Sequence, residues 1–262
     1  MSFMKKHQAR CKAGEQTVQT KTVQQVTARN LSGLGAKAEM ERHHEMIMED
    51  VKLLKEIKSI EQRKVEKKEA MKKYLPYIDA YLSQEKRYPN PVLVVMMIWA
   101  FDTKQIEPAL KYAQECIKAG DEMPKEKGLL YFKSTVTEFA LDELHDYLEE
   151  QYKAGNSSEP YLSDTIQFMD TLDVYDQIKA KYLKLKGRYL MDSEDIEELE
   201  MSLALFNRAM DLDSKVGCKT DRDTVEKKVK KLKVNQPEPT GETNSEDTPN
   251  GDDSGSNEAD AS

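Results

Sequence analysis

The sequence predicts an all-α fold: a long N-terminal helix suited to assembly, a body of helical hairpins, and a disordered acidic C-terminal tail. Three observations predict it. Apolar residues recur at steps of three and four along most of the chain, and strand-like alternation is nearly absent. Of 262 residues, 38% are hydrophobic and 34% charged, a helix-rich and partly unpacked profile. One short phrase also occurs twice: aromatic, two residues, Asp, Thr or Ser, two residues, Ile. Trp99, Asp102, Thr103 and Ile106 make the first copy, and Tyr189, Asp192, Ser193 and Ile196 the second.

Taken in order, residues 1–36 are short of large apolar side chains and end in NLSGLGAKA, with Gly33 and Gly35. They read as a flexible arm ending in a hinge. GLGAKA loosely matches a dinucleotide fingerprint, but no strand precedes it, so a joint is the better reading. From Lys37 to Lys73 there is neither Pro nor Gly. Met40, His44, Ile47, Val51 and Leu54 step by four and three, so they share a stripe that drifts to Leu53, Ile57 and Ile60. This predicts a single helix over 37–74, about 50 Å long at its rise of roughly 1.5 Å per residue. The stripe suits either packing on its own domain or pairing with neighbouring subunits, with Ile47, Val51 and Leu54 as oligomerisation contacts. Leu75–Pro76 should end that helix, because the residue before proline is pushed out of the helical region.

The body, 75–234, should hold short helices near 77–86, 91–101, 104–119, 129–152, 161–175, 177–190, 195–213 and 221–233. Val92–Val95 could pass for a strand, but the ten-residue apolar run to Phe101 suits a buried helix. That run falls short of the roughly 20 residues a membrane span needs. Residues 235–262 are low-complexity and acidic, hence disordered.

The repeated phrase predicts two helical hairpins. Its aromatic closes a first helix. Its Asp and Thr/Ser would supply the turn and the N-cap of a second. Ala109 and Ala113, then Ser202 and Ala209, are small where two helices must approach. This is the logic of a tetratricopeptide-like unit, with two unrelated hairpins of similar turn as the alternative.

Charge is unevenly spread. Residues 1–37 carry +6, 38–74 +1, 75–218 −11, 219–234 +4 and 235–262 −8. A pI near 5.3 argues against nucleic acid as a partner, but the local pattern does not. Lys5, Lys6, Arg10 and Lys12 fall within eight residues, and Lys21, Arg29 and Lys37 follow. Cations without acidic neighbours are what phosphate neutralisation needs, so Lys5, Lys6, His7, Arg10, Lys12, Lys21, Arg29 and Lys37 are the candidate DNA contacts. The acidic tail, opposite in sign, is a candidate restraint on that arm.

Catalytic motifs are missing: no phosphate-binding GxxxxGK[ST], no GxSxG, no HExxH. His43 and His44 point about 100° apart on a helix and cannot share a metal. Asp164, Asp170, Asp173 and Asp176 read as a solvated face, though a magnesium nuclease would need such carboxylates. No cofactor is expected. Cys11, Cys116 and Cys218 are odd in number and dispersed, which fits a reducing cytoplasm. The N-terminus has charge but no apolar core, unlike a secretory signal.

KHQARCKA, LPYIDAYL, VMMIWAFDTKQIEPALKYA, IKAGDEMP, KLKGRYL, LFNRAMDLD, and VGCK before a charged helix stand in this order over residues 5–233. In these the chain resembles the small terminase subunit of tailed bacteriophages, of the M-protein type of temperate contractile-tailed phages. Leu93 to Pro124 is the most specific stretch. The resemblance implies a DNA-packaging protein in the host bacterial cytoplasm. It would bind double-stranded viral DNA, form a homo-oligomer such as a ring, and direct a terminase large subunit carrying the ATPase and endonuclease. The chain itself would then be non-catalytic. Tails of this family tend to be basic, and this one is acidic. The reading from another class is a helical-repeat adaptor that binds proteins only.

Overall fold

The computed structural model describes residues 33–85 and 87–235. The arm and tail readings therefore lie outside the described residues, apart from the arm's last few positions. Among those described, nine helices and one small β-ribbon form: α1 (Gly33–Glu56), α2 (Ile60–Leu82), α3 (Pro91–Asp102), α4 (Ile106–Ala119), β1 (Lys125–Glu126), β2 (Leu130–Tyr131), α5 (Val136–Lys153), α6 (Tyr161–Met169), α7 (Asp176–Leu190), α8 (Ile196–Leu212) and α9 (Lys219–Asn235).

The single helix over 37–74 is not what forms. The chain breaks at 57–59 and folds back, so α1 and α2 make an antiparallel hairpin. Ser59 is extended, and its hydroxyl accepts from the Gln62 N–H, capping α2. The Arg63 guanidinium donates to the Ile57 carbonyl at the end of α1. Down the hairpin, His43 stacks on Tyr77 with ring centres 4.1 Å apart, and Asp50 accepts from the Tyr74 hydroxyl at 2.7 Å. Pro76 does not end α2 either; it sits inside the helix. An interior proline removes one hydrogen bond and costs about 3 kcal/mol. Tyr74, Tyr77, Ile78 and Tyr81, all buried around it, offset that cost through apolar burial.

Helix α3 is the centre of the first core. Asn90 caps it, Pro91 opens it, and Val92 through Phe101 are all buried. A helix apolar on every side must be surrounded, and α1, α2, α4 and α5 pack around this one. Helix α4 ends where Gly120 takes a left-handed φ of 73°. Helix α5 begins at Val136 and not near 129, because Lys125–Glu126 pairs antiparallel with Leu130–Tyr131 and a Thr135–Glu138 capping box starts the helix after it.

Helix α7 is a wall shared by two cores. Ile178, Tyr182 and Leu185 face the first. Ala180 belongs to the second, with Leu199, Phe206, Ala209, Val216, Cys218, Val225 and Val229 of the α8–α9 end. Three- and four-residue steps on opposite sides of one helix make both contacts possible.

The repeated phrase marks the same place twice. Ile106 and Ile196 are each the first residue of a helix, α4 and α8. The capping expected of Thr103 and Ser193 is not made. Thr103 closes α3, its hydroxyl donating to the Trp99 carbonyl at 2.7 Å, and Gln105 at the start of α4 makes no side-chain cap. In the second copy Asp195 caps α8, accepting from the Glu197 N–H. Thr103 and Ser193 stand three residues before the first helical residue, two too early for an N-cap. The phrase's Asp instead holds a lysine from another helix: Asp102 pairs with Lys67 at 2.5 Å, and Asp192 with Lys228 at 3.0 Å.

Candidate nucleic-acid interface

Lys5, Lys6, His7, Arg10, Lys12, Lys21 and Arg29 lie outside the described residues. Lys37 is exposed in the first turns of α1, its Nζ 3.8 Å from the Glu41 carboxylate. Of the two readings of the stripe, the fold shows packing on the chain's own domain. Ile47, Val51 and Leu54 are 0%, 7% and 6% exposed, in the chain's own first core. The break after α1 brings α2 back over the stripe that a straight helix would leave open. The same fold-back exposes Leu53 and Ile60, 66% and 65% accessible near the hairpin tip.

Some cations of the hairpin are answered, while exposed Arg42, Lys58 and Lys68 make no ion pair among the described residues. Lys52 pairs with Glu49, Lys64 with Glu61, Lys72 with Glu69 and Lys73 with Asp50. On helix α9, Val225 and Val229 face the second core, which turns a lysine-rich side outward. There Lys228, Lys230 and Lys233 pair with Asp192, Glu226 and Glu200. Lys227 and Lys231, one turn apart and exposed, make no ion pair among the described residues. The +4 of 219–234 points to this helix, but the choice between paired and unpaired lysines depends on α7–α8 residues brought close by folding. Helices α1 and α9 pack in different cores, so Lys37 and the α9 lysines do not form one patch through a shared core.

Other reactive side chains have structural surroundings. His43 Nδ1 is 2.8 Å from the Glu39 carbonyl, and its ring is occupied by Tyr77. His145 is buried edge-on to Tyr182; neither ring nitrogen has a hydrogen-bond partner among the described residues, and burial lowers its pKa. Burial likewise pushes the Cys116 and Cys218 thiols up, away from the reactive thiolate. Asp164, Asp170, Asp173 and Asp176 line the α6–α7 edge and form no ion pair; among the described residues no three His, Cys, Asp or Glu could hold a metal.

A family profile described as the phage small terminase subunit matches residues 44–177, just over half of the chain. The chain belongs to the phage small terminase subunit family. The matched stretch runs from within α1 to the start of α7, so the family signature covers most of the first core. A protein of Haemophilus phage HP1 named "Probable terminase, endonuclease subunit" is 30% identical over 158 residues, 56% of this chain and 54% of that relative. The chain thus spans about half the length of that relative. The "Terminase, endonuclease subunit" of Escherichia phage P2 is 29% identical over 189 residues, 72% of this chain and 73% of the relative. No solved structure matches the chain. No described helix is long and apolar enough to cross a membrane.

Proposed function

We propose that this chain is the DNA-recognition subunit of a viral terminase in the host bacterial cytoplasm. It binds double-stranded viral DNA and directs the ATPase and endonuclease of a large subunit to cut and package that DNA. Membership of the small terminase subunit family carries the reading. The +6 of residues 1–37 supports it, because this charge stands immediately before the family-matched segment. In this reading the arm, 1–36, contacts phosphates, and Lys227 and Lys231 of α9 add to the footprint. The body is a scaffold of helical hairpins, related in logic to tetratricopeptide units, and the working form is a homo-oligomer.

Binding of the purified chain to a viral end-region duplex, titrated with salt, tests the proposal. Neutralising Z phosphates makes log K fall with log salt at a slope of about −0.9Z. A steep slope is expected; salt-independent or absent binding would favour the adaptor that contacts proteins only. Native mass spectrometry with and without that duplex reads the oligomer.

A further inference from the structure

An apolar groove opens between α4, α5 and α6. Its cavity measures about 190 Å³ and is lined by Leu110, Ala113, Ile117, Leu141, Leu144 and Phe168. Ile117 and Phe168 at its rim are 38% and 37% exposed. Asp164 lines the same groove. Just beyond Thr137, the next residue of α5, Glu138, borders a recess with Asp173, Tyr175 and Asp176. Some surface carboxylates are answered by lysines, as at Asp102, Glu159 and Asp192. Asp164, Asp170, Asp173 and Asp176 receive no cation among the described residues. The surface therefore offers room for one or two apolar side chains beside Asp164, with Asp173 and Asp176 in the recess next to it.

That combination selects an occupant with apolar residues directly followed by cations. The chain outside the described residues contains one: Phe3 and Met4 precede Lys5, Lys6, Arg10 and Lys12, and no acid lies between them. The acidic segment 236–262 has the wrong sign. Reach is no obstacle. The 32 residues before Gly33 can span roughly 100 Å when extended, whereas a body of this size has a radius of gyration of about 16 Å.

We propose that the N-terminal segment Phe3–Lys12 docks in the α4–α5–α6 groove, with Phe3 and Met4 in the cavity and its cations over Asp164, Asp173 and Asp176. The docking shields the apolar groove and holds the arm's cations against the chain's own carboxylates. Loose contacts to any polyanion are suppressed, because the anion must first displace those carboxylates. Methionine's flexible thioether suits the irregular space beside a phenylalanine.

The test uses the full chain without DNA, so its failure leaves the DNA-binding proposal standing, and failure of that proposal leaves the docking untouched. A photo-cross-linking benzoylphenylalanine replaces Phe168, and cross-linked peptides are mapped by mass spectrometry. The expected products join position 168 to residues 1–12. Their yield should fall several-fold in Phe3→Asp/Met4→Asp, in Asp164→Lys/Asp173→Lys/Asp176→Lys, and on raising salt from about 50 to about 500 mM, where the Debye length shrinks toward 4 Å. The first pair lies outside the body and the three aspartates are on its surface, so circular dichroism should show the body intact. Mixed isotope labelling tells whether the arm comes from the same copy or a neighbour, and either result sustains the docking. Products on residues 236–262 or on another copy's body, no products, or a yield indifferent to Phe3→Asp/Met4→Asp would overturn it.

Discussion

A Cβ placed on Gly187 of α7 would stand 2.8 Å from the Phe206 ring of α8. Glycine in a helix interior is unfavourable by roughly 1 kcal/mol relative to alanine, so propensity alone would favour replacement. Packing forbids it. Phe206 is fully buried at the centre of the second core, and the hydroxyl of buried Ser202 donates to the Gly187 carbonyl at 2.8 Å. The two helices meet backbone to ring at this point.

Gly187→Ala should therefore destabilise the α7–α9 end by about 1–3 kcal/mol, the usual range for overpacking. Thermal unfolding followed by circular dichroism measures it. Gly187→Ala/Phe206→Leu should recover part of the loss, since the ring edge that clashes is gone. An alanine variant as stable as the parent would show that the two helices can move apart cheaply.

The α1 stripe should behave as core. Val51→Asp, at a buried position, should cost 3 kcal/mol or more and unfold the hairpin, because an unpaired buried charge has no compensation. Leu53→Asp and Ile60→Asp, at exposed positions, should leave the melting temperature nearly unchanged. Light scattering on the same variants reads assembly. If the exposed pair contacts neighbouring copies, only those variants change the oligomer while staying folded. Folded monomers from Val51→Asp would restore the stripe to an assembly role.

Buried His145 and half-buried Asp121 should shift the acid stability with opposite signs. His145 titrates below its usual 6.5, chiefly through burial, with Asp146 and Glu149 opposing and Lys181 assisting the shift. Asp146 is 3.6 Å from Nδ1, too far for a hydrogen bond. The unfolded chain takes up this proton first, so stability is lost as pH falls below about 6.5. His145→Leu should flatten that loss. Asp121 is pushed up to about 6 by burial, from 3.8, while its Oδ1 accepts from the Asn90 N–H that ties α3 to α4. Here the folded chain holds the extra proton, so this contribution is lost as pH rises from about 4 through 6. Asp121→Asn should gain stability relative to the parent above pH 6 and little below 4. Melting curves at pH 4, 5, 6 and 8 separate the two.

The α9 lysines divide into paired and unpaired. Lys227→Ala/Lys231→Ala should weaken duplex binding at every sequence and flatten the salt slope by up to about 2 log units per log unit, with no change in melting temperature. Lys228→Ala should act chiefly on stability, because it also donates to the Met191 carbonyl and so ties α9 to the end of α7. Changing Lys5, Lys6, Arg10 and Lys12 to Ala should flatten the slope further. If the slope survives all of these changes, the phosphate contacts lie elsewhere.

The sequence by itself determined the helical class, the burial of the Val92–Phe101 helix, and that a new helix follows each copy of the repeated phrase. Spacing and the length of an apolar run report directly on which residues must leave water. They do not report what covers them. The signal for the break at Ser59 was present as Ser59-x-x-Gln62, a helix-start pattern, but nothing local says that α2 turns back to cover Ile47, Val51 and Leu54. Pro76 departs from its local preference for the same reason: local sterics end a helix there, and the burial of four neighbouring side chains overrides them. The need for glycine at 187, the pairing of Asp102 and Asp192 with distant lysines, and the apolar groove with its unanswered carboxylates belong to the tertiary structure alone. Each depends on side chains far apart in sequence meeting at a few ångströms, and periodicity along one helix carries no record of its neighbours.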